Sequence, residues 1–210
     1  MTREYSGYEW KDAHLTTAHG YLLPTLLELL ASEARSLKCK RVFDLGCGNG
    51  SVANVLAGLG WDVTGVDPSE QGIALANSNF PHLNLLVHSA YEDLKALYGQ
   101  FPVVISLEVV EHVYYPRKYA ATLFSLLEEG GLAIVSTPYH GYLKNLALAV
   151  TGKMDAHFTA LWDHGHIKFW SISTLKTLLQ EAGFDQIAFW RVGRIPPLAK
   201  SMFAIARKRA

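Results

Sequence analysis

Hydrophobic positions in this chain follow two rhythms. Short apolar or β-branched runs at 41–45, 62–66, 83–87, 101–107 and 132–136 have the length and content of buried strands. Between them, apolar residues recur at helical spacing: Val52, Val55, Leu56 and Leu59 form one stripe, closed by Gly60. The pattern predicts further helices over 21–30, over 69–79 with Ser69 as N-cap, over 116–127 and over 173–182, the last closed by Gly183. Gly130-Gly131 reads as a turn before the fifth strand. Two closing strands are predicted over 184–192 and 202–207, joined by a loop carrying Pro196-Pro197. Strands alternating with helices imply a parallel sheet.

The rhythm breaks over 138–170, a stretch too long for a bare connection. It carries His140, His157, His164, His166, Trp162 and Trp170. In an α/β sheet, ligands sit beyond the C-terminal strand ends, where this insert emerges. It reads as a lid over a substrate pocket; the plainer alternative is a helical hairpin that only packs its aromatics. Its apolar segment 142–150, polar only at Lys144 and Asn145, suits either contact with a membrane surface or a packed lid helix, and its shortness and weak basicity favour packing. The segment 5–21 gathers Tyr5, Tyr8, Trp10, His14, His19 and Tyr21, which either close over a ligand or cover the sheet edge.

Composition narrows the picture. At 210 residues, half of them hydrophobic, the chain suits one domain over 1–210, with an N-terminal helical cap (1–30) and the lid insert (138–170). The 19 basic and 19 acidic residues cancel, which argues against a nucleic-acid partner. Arg207-Lys208-Arg209 reads as a solvated strand end. Cys39 and Cys47 cannot build a disulfide framework. Neither a signal-peptide core nor a spanning apolar run stands out, so a cytoplasmic location is expected.

The chemistry begins at Asp44-Leu-Gly-Cys-Gly-Asn-Gly50. Gly46, Gly48 and Gly50 permit a tight turn and close approach of a ligand to the backbone. Asp67, at the end of the second strand, lies where a carboxylate accepts both hydroxyls of a ribose. The spacing G-x-G-x-G differs from the dinucleotide fingerprint, and Asp44 beside the turn repels a pyrophosphate but attracts a cationic ligand. D-L-G-C-G-N-G with the later Gly65-Val-Asp-Pro-Ser69 resembles the class I S-adenosylmethionine-dependent methyltransferases. The resemblance implies a Rossmann-like α/β fold: a seven-stranded, mostly parallel sheet with an antiparallel last strand, helices on both faces and a helical lid after strand 5. It implies S-adenosylmethionine as cofactor. Asp44, Gly46, Cys47, Gly48 and Asn49 would then surround its methionine part, and Asp67 with Pro68 its ribose. Ser89, Ala90 and Tyr91 would flank the adenine, with Ser89 replacing a common Asp. Leu107 and Glu108 would line the floor below the sulfonium.

A second constellation is Leu107-Glu-Val-Val-Glu-His112. On a helical turn, Glu108, Glu111 and His112 share one face and make a half-site for a divalent metal (Mg, Mn or Zn), which His166 or His164 could complete from the lid. Together with Ser136-Thr-Pro138 and His166-Ile-Lys-Phe-Trp-Ser171, this segment resembles the ubiquinone-biosynthesis O-methyltransferase group. Some members of that group are described as using a divalent cation through it. It is also similar to the small-RNA 3′-terminal 2′-O-methyltransferases. The metal-free alternative keeps a Glu at the cofactor pocket and makes His112 or His166 a general base, with Glu111 beside it. Three functions follow: O-methylation of a small-molecule phenol, quinol-like or sugar hydroxyl; methyl transfer to N, C or an RNA 3′ end; or a non-catalytic S-adenosylmethionine-binding interaction module.

Overall fold

The computed structural model describes residues 10–34 and 39–209; Tyr5 and Tyr8 lie outside them. Helix α1 (His19–Ala34) leads into β1 (Arg41–Leu45), α2 (Ser51–Gly58), β2 (Asp62–Asp67), α3 (Glu70–Asn79) and β3 (Asn84–Val87). Then come α4 (Leu94–Tyr98), β4 (Phe101–Leu107), α5 (Pro116–Ser125) and β5 (Leu127–Pro138). The insert holds α6 (Tyr142–Val150) and α7 (Met154–Phe158), and α8 (Ile172–Glu181), β6 (Asp185–Val192) and β7 (Ser201–Arg207) close the chain.

The seven strands lie in the order β3-β2-β1-β4-β5-β7-β6. β1 pairs in parallel with both β2 and β4, so the strand order reverses beside it and opens a crevice at the C-terminal strand ends. β7 runs antiparallel between β5 and β6. Side chains alternate across the sheet: Phe43 and Leu45 of β1 pack with Leu94, Tyr119, Leu123 and Leu175 of α4, α5 and α8. Val42 packs on the other face with Leu22, Leu26, Leu56 and Ile73 of α1, α2 and α3.

Three local expectations change. The helix predicted over 116–127 ends at Ser125, and β5 already begins at Leu127, paired with Phe101. Gly130-Gly131 does not separate the two but forms a bulge within β5. Gln100 Nε2 donates to Leu127 O (2.6 Å), while Gly130 and Lys208 exchange backbone bonds across to β7's end (Gly130 N–Lys208 O 3.1 Å, Lys208 N–Gly131 O 3.0 Å). α4, five residues capped by Asp93, is too short to show a period in sequence. The third change concerns α6, expected to pack its apolar face. Instead Tyr142 is 80% exposed and Val150 79%, Leu143 and Leu146 are also exposed, and the one buried residue is Lys144. That lysine ties α6 to the sheet end by donating to Tyr139 O at 2.7 Å. No helix among the described residues is long and apolar enough to cross a membrane.

Candidate active site

The glycine turn is bound to β2 through its backbone. Gly46 N and Cys47 N both donate to Val66 O, at 2.8 and 3.0 Å. Asp67 accepts from Gly48 N on Oδ2 (3.0 Å) and from Ser69 N on Oδ1 (2.8 Å). Asp44, 2% exposed, lies close enough for the two carboxylates to repel. Burial, and then Asp67, push Asp44 up to about 7; burial pushes Asp67 up to about 6 against its two backbone donors. Among the described residues neither carboxylate has a cation in ion-pair contact. A buried and a half-buried carboxylate so placed attract a positively charged ligand.

The chain ahead of α1 covers this turn as a strap. The amide Nδ2 of Asn49 donates to Asp12 O and His14 O, both at 2.9 Å, and its Oδ1 accepts from Ser51 N and Oγ. Trp10 and Gln71 exchange backbone-to-side-chain hydrogen bonds. The Trp10 indole fills the notch left by Gly48 and Gly72: a Cβ on Gly48 (φ +54°) would fall 2.3 Å from the ring. Asn49, expected at the methionine part, thus spends its amide on the strap. Trp10, one of the aromatics of segment 5–21 read as closing over a ligand or covering the sheet edge, seats in this notch.

A cavity of about 670 Å³ opens here and continues past β4 to the insert. Its wall includes Asp44, Gly46, Cys47, Asn49, Asp67 and Pro68 from the first two strand ends. Ser89, Ala90 and Tyr91 follow β3 along the wall, and Leu107 and Glu108 follow β4. Gly48 faces Trp10 rather than the open space.

Beyond β4 no helix forms. Residues 108–115 make turns, and Glu108 adopts φ 54°, a left-handed conformation unusual for a residue with a Cβ. It is held there by β5: Glu108 N meets Ser136 O (3.1 Å) and Ser136 Oγ (3.0 Å). Its carboxylate accepts from Ser136 Oγ (2.8 Å) and Ser201 Oγ (3.2 Å), and Ser201 Oγ in turn meets Tyr21 OH (3.2 Å). Burial pushes Glu108 up to about 7.

The shared helical face expected for Glu108, Glu111 and His112 therefore does not exist. Glu108 turns toward Ser136 and Ser201, whereas Glu111, His112 and His166 place one ligand atom each within 4.8 Å of one another. Glu111 is fully buried, with Oε2 accepting from Thr137 Oγ1 at 3.0 Å. Its Oε1 has no hydrogen-bond partner and lies 3.9 Å from His166 Nε2. Burial, and the field of Glu108, raise the Glu111 carboxyl well above its ordinary range. His112 Nδ1 lies 3.2 Å from both His164 O and Gly165 O. Carbonyls only accept, so Nδ1 carries the hydrogen and Nε2 the lone pair. His164 takes part through its carbonyl, not its ring. Burial, then His112 and His157, push His166 down to about 4.

The insert closes over this end. Ile167 N and Lys168 N donate to Glu111 O, both at 3.0 Å, and Trp170 Nε1 donates to Val110 O at 3.1 Å. Trp162, Gly165 and Ile167 line the cavity as its roof.

A family model described as a methyltransferase domain matches residues 14–188. This chain belongs to that methyltransferase domain family. The match spans the glycine turn, Asp67, the 108–112 turn and the insert. A ubiquinone biosynthesis O-methyltransferase of Roseobacter denitrificans is 35% identical over 154 residues, 70% of this chain and 60% of that protein. The protein of the same description from Azorhizobium caulinodans is 32% identical over 176 residues, 79% of this chain and 68% of its own length. The chain thus spans about three-fifths of the Roseobacter relative. The domain's fold is shared with magnesium protoporphyrin IX methyltransferase of Synechocystis PCC 6803, solved with bound SAH (TM-score 0.66, 20% identity, 88% of this chain and 82% of that one). It is shared too with a SAM-dependent methyltransferase from Archaeoglobus fulgidus (TM-score 0.60, 18% identity, 87% and 94%).

Proposed function

We propose that this methyltransferase domain transfers the methyl group of S-adenosylmethionine to a hydroxyl of a small-molecule acceptor. The observation that carries this reading is one continuous cavity. It joins the carboxylate pair Asp44 and Asp67 to His112 and His166 beside Glu111. The names of the ubiquinone-biosynthesis relatives and the SAH bound in the Synechocystis enzyme agree with it.

In this reading the ribose hydroxyls donate to Asp67, whose oxygens keep free lone pairs after accepting one backbone N–H each. Asp44 faces the cationic methionine end, Ser89 to Tyr91 flank the adenine, and Leu107 and Glu108 form the floor. The sulfonium methyl is already activated, so the protein's main task is alignment of the acceptor oxygen. The acceptor's proton passes to His112 Nε2, the ring nitrogen with the free lone pair. His166, with its low pKa, stays neutral and orients the acceptor, and the 138–170 insert excludes water above it.

A second reading of the same cluster is favoured by the buried, partnerless Glu111 Oε1. Glu111, His112 and His166 offer one carboxylate oxygen and two imidazole nitrogens, a donor set that suits a divalent metal such as Mg, Mn or Zn. A metal held there would acidify a coordinated acceptor hydroxyl. Dialysis against a chelator separates the two readings. Transfer lost on chelation and restored by one metal assigns the cluster to ligation. Full activity after chelation, with His112→Ala inactive, assigns it to base catalysis. A purified chain that binds neither S-adenosylmethionine nor its demethylated product overturns both.

A further inference from the structure

We propose that Lys144, Arg191, Arg194 and Lys200 form a subsite at the foot of the insert that binds an anionic group, carboxylate or phosphate, carried by the methyl acceptor. The proposal deepens the methyl-transfer reading and rests on it for the acceptor's identity.

Lys144 is the starting point. It is the only buried residue of α6, a helix whose leucines face outward. A buried ammonium without a carboxylate partner is costly. Its Nζ donates to Tyr139 O (2.7 Å) and lies 3.4 Å from Lys200 O. An ammonium has three donors, so one remains for a ligand. Burial, and then Arg194, lower Lys144 to about 8, which leaves it mostly charged at neutral pH.

Arg194 is the cation whose field reaches Lys144, and Arg191 and Lys200 lie on residues that Lys144 contacts or adjoins. The Arg191 guanidinium lies over the Tyr139 ring at 5.8 Å, and the Lys200 ammonium over the Tyr21 ring at 5.0 Å. Arg194 is close enough to depress both Lys144 and His157. None of the four makes an ion pair with a carboxylate among the described residues. In a chain with 19 basic and 19 acidic residues, that is an unbalanced local field. Glu108 is the one carboxylate whose field reaches Lys144, and it is occupied by Ser136 and Ser201.

Lys200 is the member of the four that reaches the cavity. Lys200 lines the cavity together with Ser201, whose hydroxyl holds Glu108. Gly193, in the connection between β6 and β7, has φ +86°, and a Cβ there would fall 2.9 Å from Lys200 Cβ. The glycine leaves room for the Lys200 stem. An acceptor with its hydroxyl at His112 would thus extend toward Lys200 and Lys144.

The test measures binding, not turnover. The SAH-saturated protein is titrated with 3,4-dihydroxybenzoate, with 4-hydroxyphenyl phosphate and with uncharged catechol by calorimetry, at two ionic strengths. The expected result is about tenfold or more tighter binding of at least one anionic compound, shrinking at high salt. Lys200→Gln with Arg194→Gln, both exposed positions, should erase most of that advantage; Lys144→Met is a second variant, kept only if its SAH affinity is preserved. Equal affinities for charged and uncharged compounds overturn the proposal. So does an advantage that survives the Lys200/Arg194 variant, or binding to phosphatidylglycerol vesicles without preference among the soluble compounds. Anion preference without methylation of any acceptor would sink the methyl-transfer reading and keep the subsite; methylation without preference does the reverse.

Discussion

The two ends of the cavity are built in opposite ways. The Asp44–Asp67 end comes from one continuous stretch of chain: a strand, a glycine turn, a helix and a second strand, with ligand-facing groups fixed by backbone hydrogen bonds such as Gly48 N to Asp67. The Glu108–His166 end is assembled from α1, the turn after β4, β5, the insert and β7, and its contacts run mostly through side chains. It also holds the strain and the unmet valences, Glu108 in a left-handed conformation and Glu111 Oε1 without a partner. In the proposed reading the nucleoside is met by a local turn and the acceptor where distant segments meet, so one wall of the cavity can change without disturbing the other.

The sharpest test of this division is at the acceptor end. His112→Ala should lower methyl transfer by about 10²–10⁴-fold, the range of a lost general base, while SAH affinity stays within about threefold. A parallel loss of both, measured by calorimetry and single-turnover transfer, would show that the two ends are not separable.

The converse variant is Asp67→Ala. Loss of two ribose hydrogen bonds to a charged acceptor should weaken S-adenosylmethionine binding by about 10²-fold. Unchanged affinity would remove Asp67 from the ribose and with it the assignment of this end. Next in size is the strap: Trp10→Ala should speed release of SAH by about tenfold or less, read by stopped-flow displacement, because the Gly48–Gly72 notch is left open. No change in release rate would make Trp10 a surface cover only.

The smallest expected effect is a pH dependence. Asp44 and Asp67 have folded pKa values raised to about 7 and about 6, so both lose charge as pH falls through that window. A cationic ligand binds the ionised pair, so affinity for S-adenosylmethionine should rise from about pH 5.5 to 7.5 by several-fold more than affinity for SAH, which lacks the sulfonium charge. The sign for stability is opposite. Raised carboxyl pKa values mean the native state holds the protons longer, so these two groups favour the unliganded fold less as pH climbs from the ordinary carboxylate range to about 7. Asp44→Asn should flatten the difference between the two ligands; a difference that persists in it would locate the charge preference elsewhere.

Most of the cofactor end was legible in the sequence because its residues are neighbours along the chain. Asp44, Gly46, Cys47, Asp67 and Ser89 to Tyr91 line one wall of the cavity. Asn49 shares that wall, with its amide held by a strap whose position no local pattern encodes. At the acceptor end the residue types in E-V-V-E-H were readable but their geometry was not. A helical turn was expected, and the two bonds from Glu108 N to Ser136 replaced it with a strained one, sending Glu108 and Glu111 to different partners. Ser201 carried no signal at all, and Tyr21 was marked only as one of a group of aromatics, until β7 and α1 bring them to Glu108.

The sheet strands, the glycine turn and the carboxylate at the tip of β2 follow from residue order along the chain. Periodicity and turn chemistry act over a few residues, and the family motif lies within such a span. Packing of the whole chain settled that α6 buries Lys144 and exposes Leu143 and Leu146. It likewise decided that Trp10 seats against Gly48 and that Glu111, not Glu108, stands beside His112 and His166. Each of these depends on which distant hydrogen-bond acceptors and apolar notches remain open once the sheet has closed, a quantity that no window of sequence contains.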